Sequence, residues 1–147
     1  MRHLSNKEKK ELQKLLWEGY NILKKDEIVE DKNIIYKNSE KYLIIFESTK
    51  KEIKKVIPHL RNLVEKGFSS VYIDSGAIPF LIKGADMMRP GIQEIEQFKK
   101  DDIILIREEE HKKTLAIGLA LYDSEEMKKM EKGISVKVLH YMGDEKF

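Results

Sequence analysis

The chain has 147 residues, no cysteine, 37% charged residues and a formal net charge of +2, which excludes a disulfide framework, a thiolate zinc site and a cysteine nucleophile. Its length allows one ordinary domain or two very small ones, and a compact fold of this size buries about 68–70% of the surface its unfolded chain exposes. No apolar run reaches the roughly 18 residues of a membrane span, and the first ten residues lack the apolar core of a signal peptide, so the expected setting is soluble and cytoplasmic, with no membrane partner.

Lysine outnumbers arginine 24 to 4, with 18 glutamates and 18 isoleucines, a thermophile-like composition. The small net charge hides an asymmetry. Residues 1–69 hold 16 basic and 11 acidic side chains, a net +5, whereas residues 70–147 hold 12 and 15, a net −3. A polyanion would be drawn mainly to the first half.

Ser5 with Glu8 forms a capping box, so a helix is expected after it. Leu12, Leu15, Leu16, Gly19, Ile22 and Leu23 recur at helical spacing and predict that it runs to near Lys25. Trp17 lies off that stripe and is expected at the edge of the core. Residues 34–36 and 42–46 are β-rich runs separated by the turn-forming residues 37–40, which predicts an antiparallel hairpin. Thr49 with Glu52 reads as a second capping box opening a short helix, and Pro58 as the first residue of another that runs to Lys66 and is ended by Gly67. On the first of these, Lys50, Lys51, Lys54 and Lys55 would form an auxiliary basic patch able to meet phosphate.

Residues 68–73 read as a strand, and a domain boundary is placed near residue 70, giving domains 1–69 and 70–147. A helix over 75–83 is expected to end at Gly84 in the left-handed conformation, followed by a loop, 85–89, with exposed amides and by the turn Pro90-Gly91. Strands are predicted over 91–97, 103–107 and 114–122, a short helix from Asp123 to Gly133, and a last strand over 134–142. The expected fold class is α+β: a small α/β domain, then a compact, mixed, barrel-like sheet with short helices.

Nothing in the sequence marks catalysis or a cofactor. His3, His59, His111 and His140 include no pair at metal-ligand spacing, no triad is discernible, and Glu108-Glu109-Glu110-His111 reads as a charged hairpin tip. The run from Ile73 to Ile92, with its glycines and prolines, points instead to binding led by the backbone.

That run, Asp74-Ser75-Gly76-Ala77 and then Phe80-Leu81-Ile82-Lys83-Gly84-Ala85-Asp86-Met87-Met88-Arg89-Pro90-Gly91-Ile92, closely resembles the motif of the PUA domain, named for pseudouridine synthases and archaeosine transglycosylases. Lys132-Gly133-Ile134 and Leu139-His140-Tyr141-Met142 resemble the last strand of the malignant T-cell amplified sequence family, and Pro58-His59-Leu60-Arg61-Asn62-Leu63 resembles the closing helix of that family's pre-PUA domain. The resemblance implies a pre-PUA domain followed by a PUA domain. It also implies RNA, either rRNA or tRNA, lying along the first helix, the glycine loop and the last strand, with Lys83, Gly84, Ala85, Arg89, Gly91, His140 and Tyr141 as contact candidates. The function implied is non-enzymatic RNA binding in translation, at the small ribosomal subunit or on initiator tRNA, with a translation-factor partner protein. Two alternatives stand beside it: an accessory protein or subunit of a tRNA or rRNA modification enzyme, and a protein-interaction adaptor. About 70 residues of first domain are too few for a modification enzyme's catalytic fold.

Overall fold

In the computed structural model, which describes residues 1–147, Ser5 opens helix α1 (Asn6–Gln13) through the expected reciprocal pair. Its hydroxyl accepts from the Glu8 amide at 3.2 Å, and the Glu8 carboxylate accepts from the Ser5 amide at 3.0 Å. The helix stops after eight residues and does not reach Lys25. The side chain of Gln13 accepts from the Ile22 amide at 2.6 Å and donates to the Tyr20 carbonyl at 2.9 Å, tying down a loop that turns at Gly19, φ +88°. Tyr20 is thereby buried, its hydroxyl accepting from the Val64 amide at 2.9 Å, and Trp17 packs edge-on against it, half-buried, with ring centroids 5.4 Å apart.

Five strands, β1 (Arg2–His3), β2 (Ile28–Asp31), β3 (Ile34–Lys37), β4 (Glu40–Ser48) and β5 (Ile53–Pro58), form an antiparallel sheet in that order. The expected β3–β4 hairpin turns through Asn38 and Ser39, both at positive φ, the geometry that matches the strands' twist. The second capping box is corrected by the structure. The Thr49 hydroxyl does accept from the Lys51 and Glu52 amides at 3.3 and 3.2 Å, but it stabilises the β4–β5 turn, closed by the Thr49 amide on the Glu52 carbonyl at 2.8 Å. Beyond the turn the chain is strand, with Ile44 opposite Ile57 and Leu43 opposite Pro58. Pro58 thus ends an edge strand, where a residue without an N–H costs little. The helix expected from it is absent; 3₁₀ turns at Leu60–Asn62 and Glu65–Gly67 stand in its place.

The chain divides into two compact units, Met1–Gly67 and Phe68–Phe147. The second contains β6 (Ser70–Ile73), α2 (Ile78–Leu81), β7 (Met87–Met88), β8 (Ile92–Ile95), β9 (Ile103–Glu108), β10 (Thr114–Ala120), α3 (Ser124–Lys129) and β11 (Ile134–Tyr141), with sheet order β7-β11-β10-β9-β6-β8. That order forces closure. A flat sheet of six strands would hold its edge strands about 24 Å apart, yet β7 and β8 are joined by only Arg89–Gly91, a link that reaches at most about 14 Å. The sheet must curl until its edges meet, enclosing Val71, Ile73, Leu81, Ile104, Ile106 and Val136. The α+β class and the barrel-like second sheet expected from sequence are both present. No helix is long and apolar enough to cross a membrane.

At the end of β9 the chain turns on Glu108, whose buried carboxylate accepts from the amides of Glu110, His111 and Lys113 at 2.8, 2.7 and 3.1 Å. Burial pushes this carboxyl up, but the three amides outweigh it and hold it below its ordinary value of 4.5. A depressed carboxyl stabilises the fold above the unfolded-state value and loses that contribution as pH falls through the folded-state value. Glu108→Gln is therefore expected to reduce the loss of urea resistance between about pH 7 and about pH 3. An acid limb identical to that of the native chain would show that the turn does not depend on this charge.

Candidate nucleic-acid interface

Asp74 starts the segment, its carboxylate accepting from the Ala77 amide at 3.0 Å. A 3₁₀ turn (Ser75–Ala77) runs into α2, so the helical stretch is shorter than the 75–83 expected. Gly84 then takes the left-handed conformation, φ +89°. Its amide donates to the Leu81 carbonyl at 2.9 Å and that of Ala85 to the Phe80 carbonyl at 3.1 Å. These amides are taken up by the helix end and are not offered to a ligand.

Gly84 is needed for a second reason. A Cβ there would lie 3.2 Å from the Tyr141 ring and 3.2 Å from its hydroxyl, so the loop touches the last strand only because the side chain is missing. From this contact the segment runs antiparallel along β11. The Asp86 carboxylate accepts from the Val138 amide at 2.9 Å, Met87 pairs with Val136, and Met88 pairs with Ile134. Residues 84–88 and β11 form one continuous strip.

Lys83 stands at one end of the strip, Lys137 along it and Lys132 just before β11 begins; all three are exposed, and their side chains make no hydrogen bond or ion pair. Asp86, the acidic residue within it, is tied to the backbone. The strip is thus locally positive within a unit whose net charge is −3.

The remaining candidates lie elsewhere. Arg89 is half-buried, its Nε donating to the Met127 carbonyl and its Nη1 to the Ile92 carbonyl, each at 2.8 Å, while its amide donates to the Gly133 carbonyl at 2.8 Å. Its guanidinium fastens the barrel seam. Gly91 sits in the same link, where a Cβ would meet Ala77 at 3.3 Å. The His140 side chain is 1% exposed, with Nδ1 2.8 Å from Asp144 Oδ2 and the ring 6.4 Å from that of Phe147. Burial pushes the Asp144 carboxyl up, but the Tyr141 amide and the His140 ring hold it below the usual range. The structure therefore brings Lys83, Gly84, Ala85 and Tyr141 together, and sets Arg89, Gly91 and His140 in packing roles.

Lys132 is marked in the sequence only as part of the Lys132-Gly133-Ile134 resemblance and not as a contact candidate, and Lys137 carries no signal that singles it out. Lys137 is an exposed position beside buried Val136 on β11, but only the pairing of β7 with β11 puts it beside the glycine loop. The auxiliary patch in the first unit also changes. Lys50 and Lys51 lie at the β4–β5 turn, while Lys54 and Lys55 are consecutive in β5 and bridge to Glu52 at 2.9 Å and Glu47 at 3.5 Å. The four share no helix face, and charged side chains on an edge strand also deter unwanted strand pairing.

Compared with known proteins, residues 69–142 match the family profile of the PUA domain. Translation machinery-associated protein 20 of Schizosaccharomyces pombe is 38% identical over 97 residues, covering 60% of this chain and 53% of that protein. Malignant T-cell-amplified sequence 1 of Rattus norvegicus is 32% identical over 76 residues, covering 49% and 42%. The chain thus spans about half the length of the curated relatives it matches. A hypothetical protein of Pyrococcus horikoshii superposes over 98% of this chain and 95% of its own, with a TM-score of 0.72 and 30% identity. Both resemblances read from the sequence are borne out.

Proposed function

The chain belongs to the PUA-domain family, and from that membership together with the strip we propose that it is a non-enzymatic RNA-binding protein of the translation machinery. Its second unit binds rRNA or tRNA along the loop 83–88 and β11. The observation that carries this reading is the row of unpaired lysines, Lys83, Lys132 and Lys137, on a strip otherwise closed by backbone pairing. The names of the relatives support the translation setting, and the more basic first unit, read as a pre-PUA domain, supplies sequence-independent attraction. Small-subunit RNA and initiator tRNA are the ligands of choice for testing, and a translation factor the partner class.

Changing Lys83, Lys132 and Lys137 to glutamine together is expected to lower the slope of log affinity against log salt by about 0.7–0.9 for each phosphate that no longer meets a lysine. Fluorescence anisotropy with tRNA or small-subunit RNA fragments measures it. An unchanged slope removes the strip as the RNA site. Modification of tRNA or rRNA by the purified chain alone would overturn the non-enzymatic assignment.

A further inference from the structure

Two surfaces away from the RNA-binding strip are opposite in charge. The first is the tip of the β9–β10 hairpin. Residues 109–113 all lie in water; the Glu109 carboxylate has no partner, and that of Glu110 meets only its neighbour His111, at 3.9 Å. The tip is nonetheless fixed. Besides the three amides held by Glu108, the Glu109 amide donates to the Ile73 carbonyl at 3.0 Å and Arg107 Nε to the Lys112 carbonyl at 2.8 Å. Lys112 is turned back onto the Tyr72 ring, 4.4 Å from its centre, and onto Glu94 at 3.7 Å, which leaves Lys113, at the foot of β10, as the one unpaired lysine of the tip. A rigid knob of this kind loses little conformational entropy when something closes on it.

The second surface is a hollow of about 410 Å³ in the first unit, where the start of α1 faces the β4–β5 turn. Leu4, Leu12 and Ile53 line it together with Lys7 and Lys51, and an adjoining hollow of about 250 Å³ that shares Lys51 and Ile53 adds Lys50. The carboxylates in the walls are already answered. Glu8 and Glu30 bridge Arg2, Glu11 bridges Lys14 at 3.2 Å, and Glu52 bridges Lys54 at 2.9 Å. Lys7, Lys50 and Lys51 are exposed and their side chains have no partner, so the charge left over is positive.

Nucleic acid is not the occupant these features favour. No aromatic ring lines either hollow to stack a base, and the wall carboxylates repel a chain of phosphates. The chain itself supplies the complement. The unit that holds the hollow carries a net +5, and the unit that holds the tip a net −3. We propose that copies of this chain associate head to tail, the β9–β10 tip of one copy entering the lysine-rimmed hollow of the next, with Glu109 and Glu110 set against Lys7, Lys50 and Lys51. The two surfaces differ, so each added copy leaves a tip and a hollow open and assembly extends with concentration. Its contacts are solvent-facing ion pairs, which makes it weak and salt-sensitive.

Sedimentation equilibrium on the full chain tests this. The weight-average mass is expected to rise from that of one chain at about 10 µM to at least about twice that at about 1 mM in low salt, and to fall back at about 0.5 M salt. Glu109→Lys with Glu110→Lys, and separately Lys50→Glu with Lys51→Glu, should each hold the protein as a single chain at every concentration. All four side chains stand in water, and a native far-ultraviolet circular dichroism spectrum checks that each variant folds. An equimolar mixture of the two variants should associate again, because each reversed surface then meets a complementary one. A native chain that stays single at about 1 mM in low salt overturns the proposal. So does association that survives either reversal, or a loss that the mixture of folded variants does not restore. A native chain that stays single while the Lys50→Glu, Lys51→Glu variant loses affinity for tRNA gives the hollow to nucleic acid and likewise overturns it.

Discussion

Arg89→Met is expected to lower the free energy of unfolding by about 2–3 kcal/mol, and to leave the salt dependence of RNA binding where it was. The guanidinium donates to two carbonyls, those of Met127 and Ile92, and each such charge-assisted bond contributes about 1.5–3 kcal/mol, with partial exposure reducing the total. Methionine keeps much of the aliphatic stem, so the cost falls on the polar interactions. Because those carbonyls belong to α3 and to the start of β8, the barrel seam should loosen first, exposing β7 and β8 to hydrogen exchange ahead of β9 and β10. Arg89→Lys should recover little, since one ammonium does not reproduce a planar fork reaching two acceptors. Urea unfolding decides the matter. Native stability combined with a lower salt slope would restore Arg89 to the RNA site.

Gly118→Ala is expected to cost about 1–3 kcal/mol, the range for overpacking a filled core. A Cβ on Gly118 would lie 2.4 Å from Val136 Cγ1, 3.2 Å from Ile106 Cδ1 and 3.3 Å from the Lys137 carbonyl. Val136 and Ile106 are fully buried, and a valine has no flexible end to swing away. Removing the opposing methyls tests the cause. The double variant Gly118→Ala, Val136→Ala should be less destabilised than the sum of the two single variants by about 1 kcal/mol. Strict additivity would mean that the strain comes from the bulge at Ile117 and Gly118, not from the clash with Val136.

Much of the fold was legible because its signals are local. The Ser5–Glu8 box, the Asn38–Ser39 turn and the left-handed Gly84 all satisfy backbone groups within a few residues, and each stands where the sequence put it. The motif in residues 74–92 points to the segment that carries the candidate site. It did not tell apart two cations in that segment. Lys83 is exposed and unpaired while Arg89 turns into the seam, and the carbonyl that draws Nε inward is 38 residues away in sequence.

The departures from expectation have the same origin. Thr49-x-x-Glu52 is a capping box by composition, and the threonine hydroxyl does accept from amides two and three residues on, but that turn serves a helix start and a hairpin equally well. The decision fell to Ile53–Pro58, which gain more by pairing with β4 and burying Val56 and Ile57 than a short isolated helix would return. The apolar stripe after Gln13 likewise gave way to a loop once Tyr20 could reach the Val64 amide, 44 residues on.

The sequence by itself therefore determined the Ser5 cap, the Asn38–Ser39 turn and the left-handed Gly84, which depend on φ preferences and on hydrogen bonds between near neighbours, and, through its wider pattern and the 74–92 motif, the α+β class and the family. Only the tertiary structure decided how far α1 runs, that β5 is a strand, that Arg89 closes a barrel, and that Lys132 and Lys137 join Lys83 beside the glycine loop. Those outcomes rest on pairings between residues far apart in the chain, whose energies no local pattern encodes.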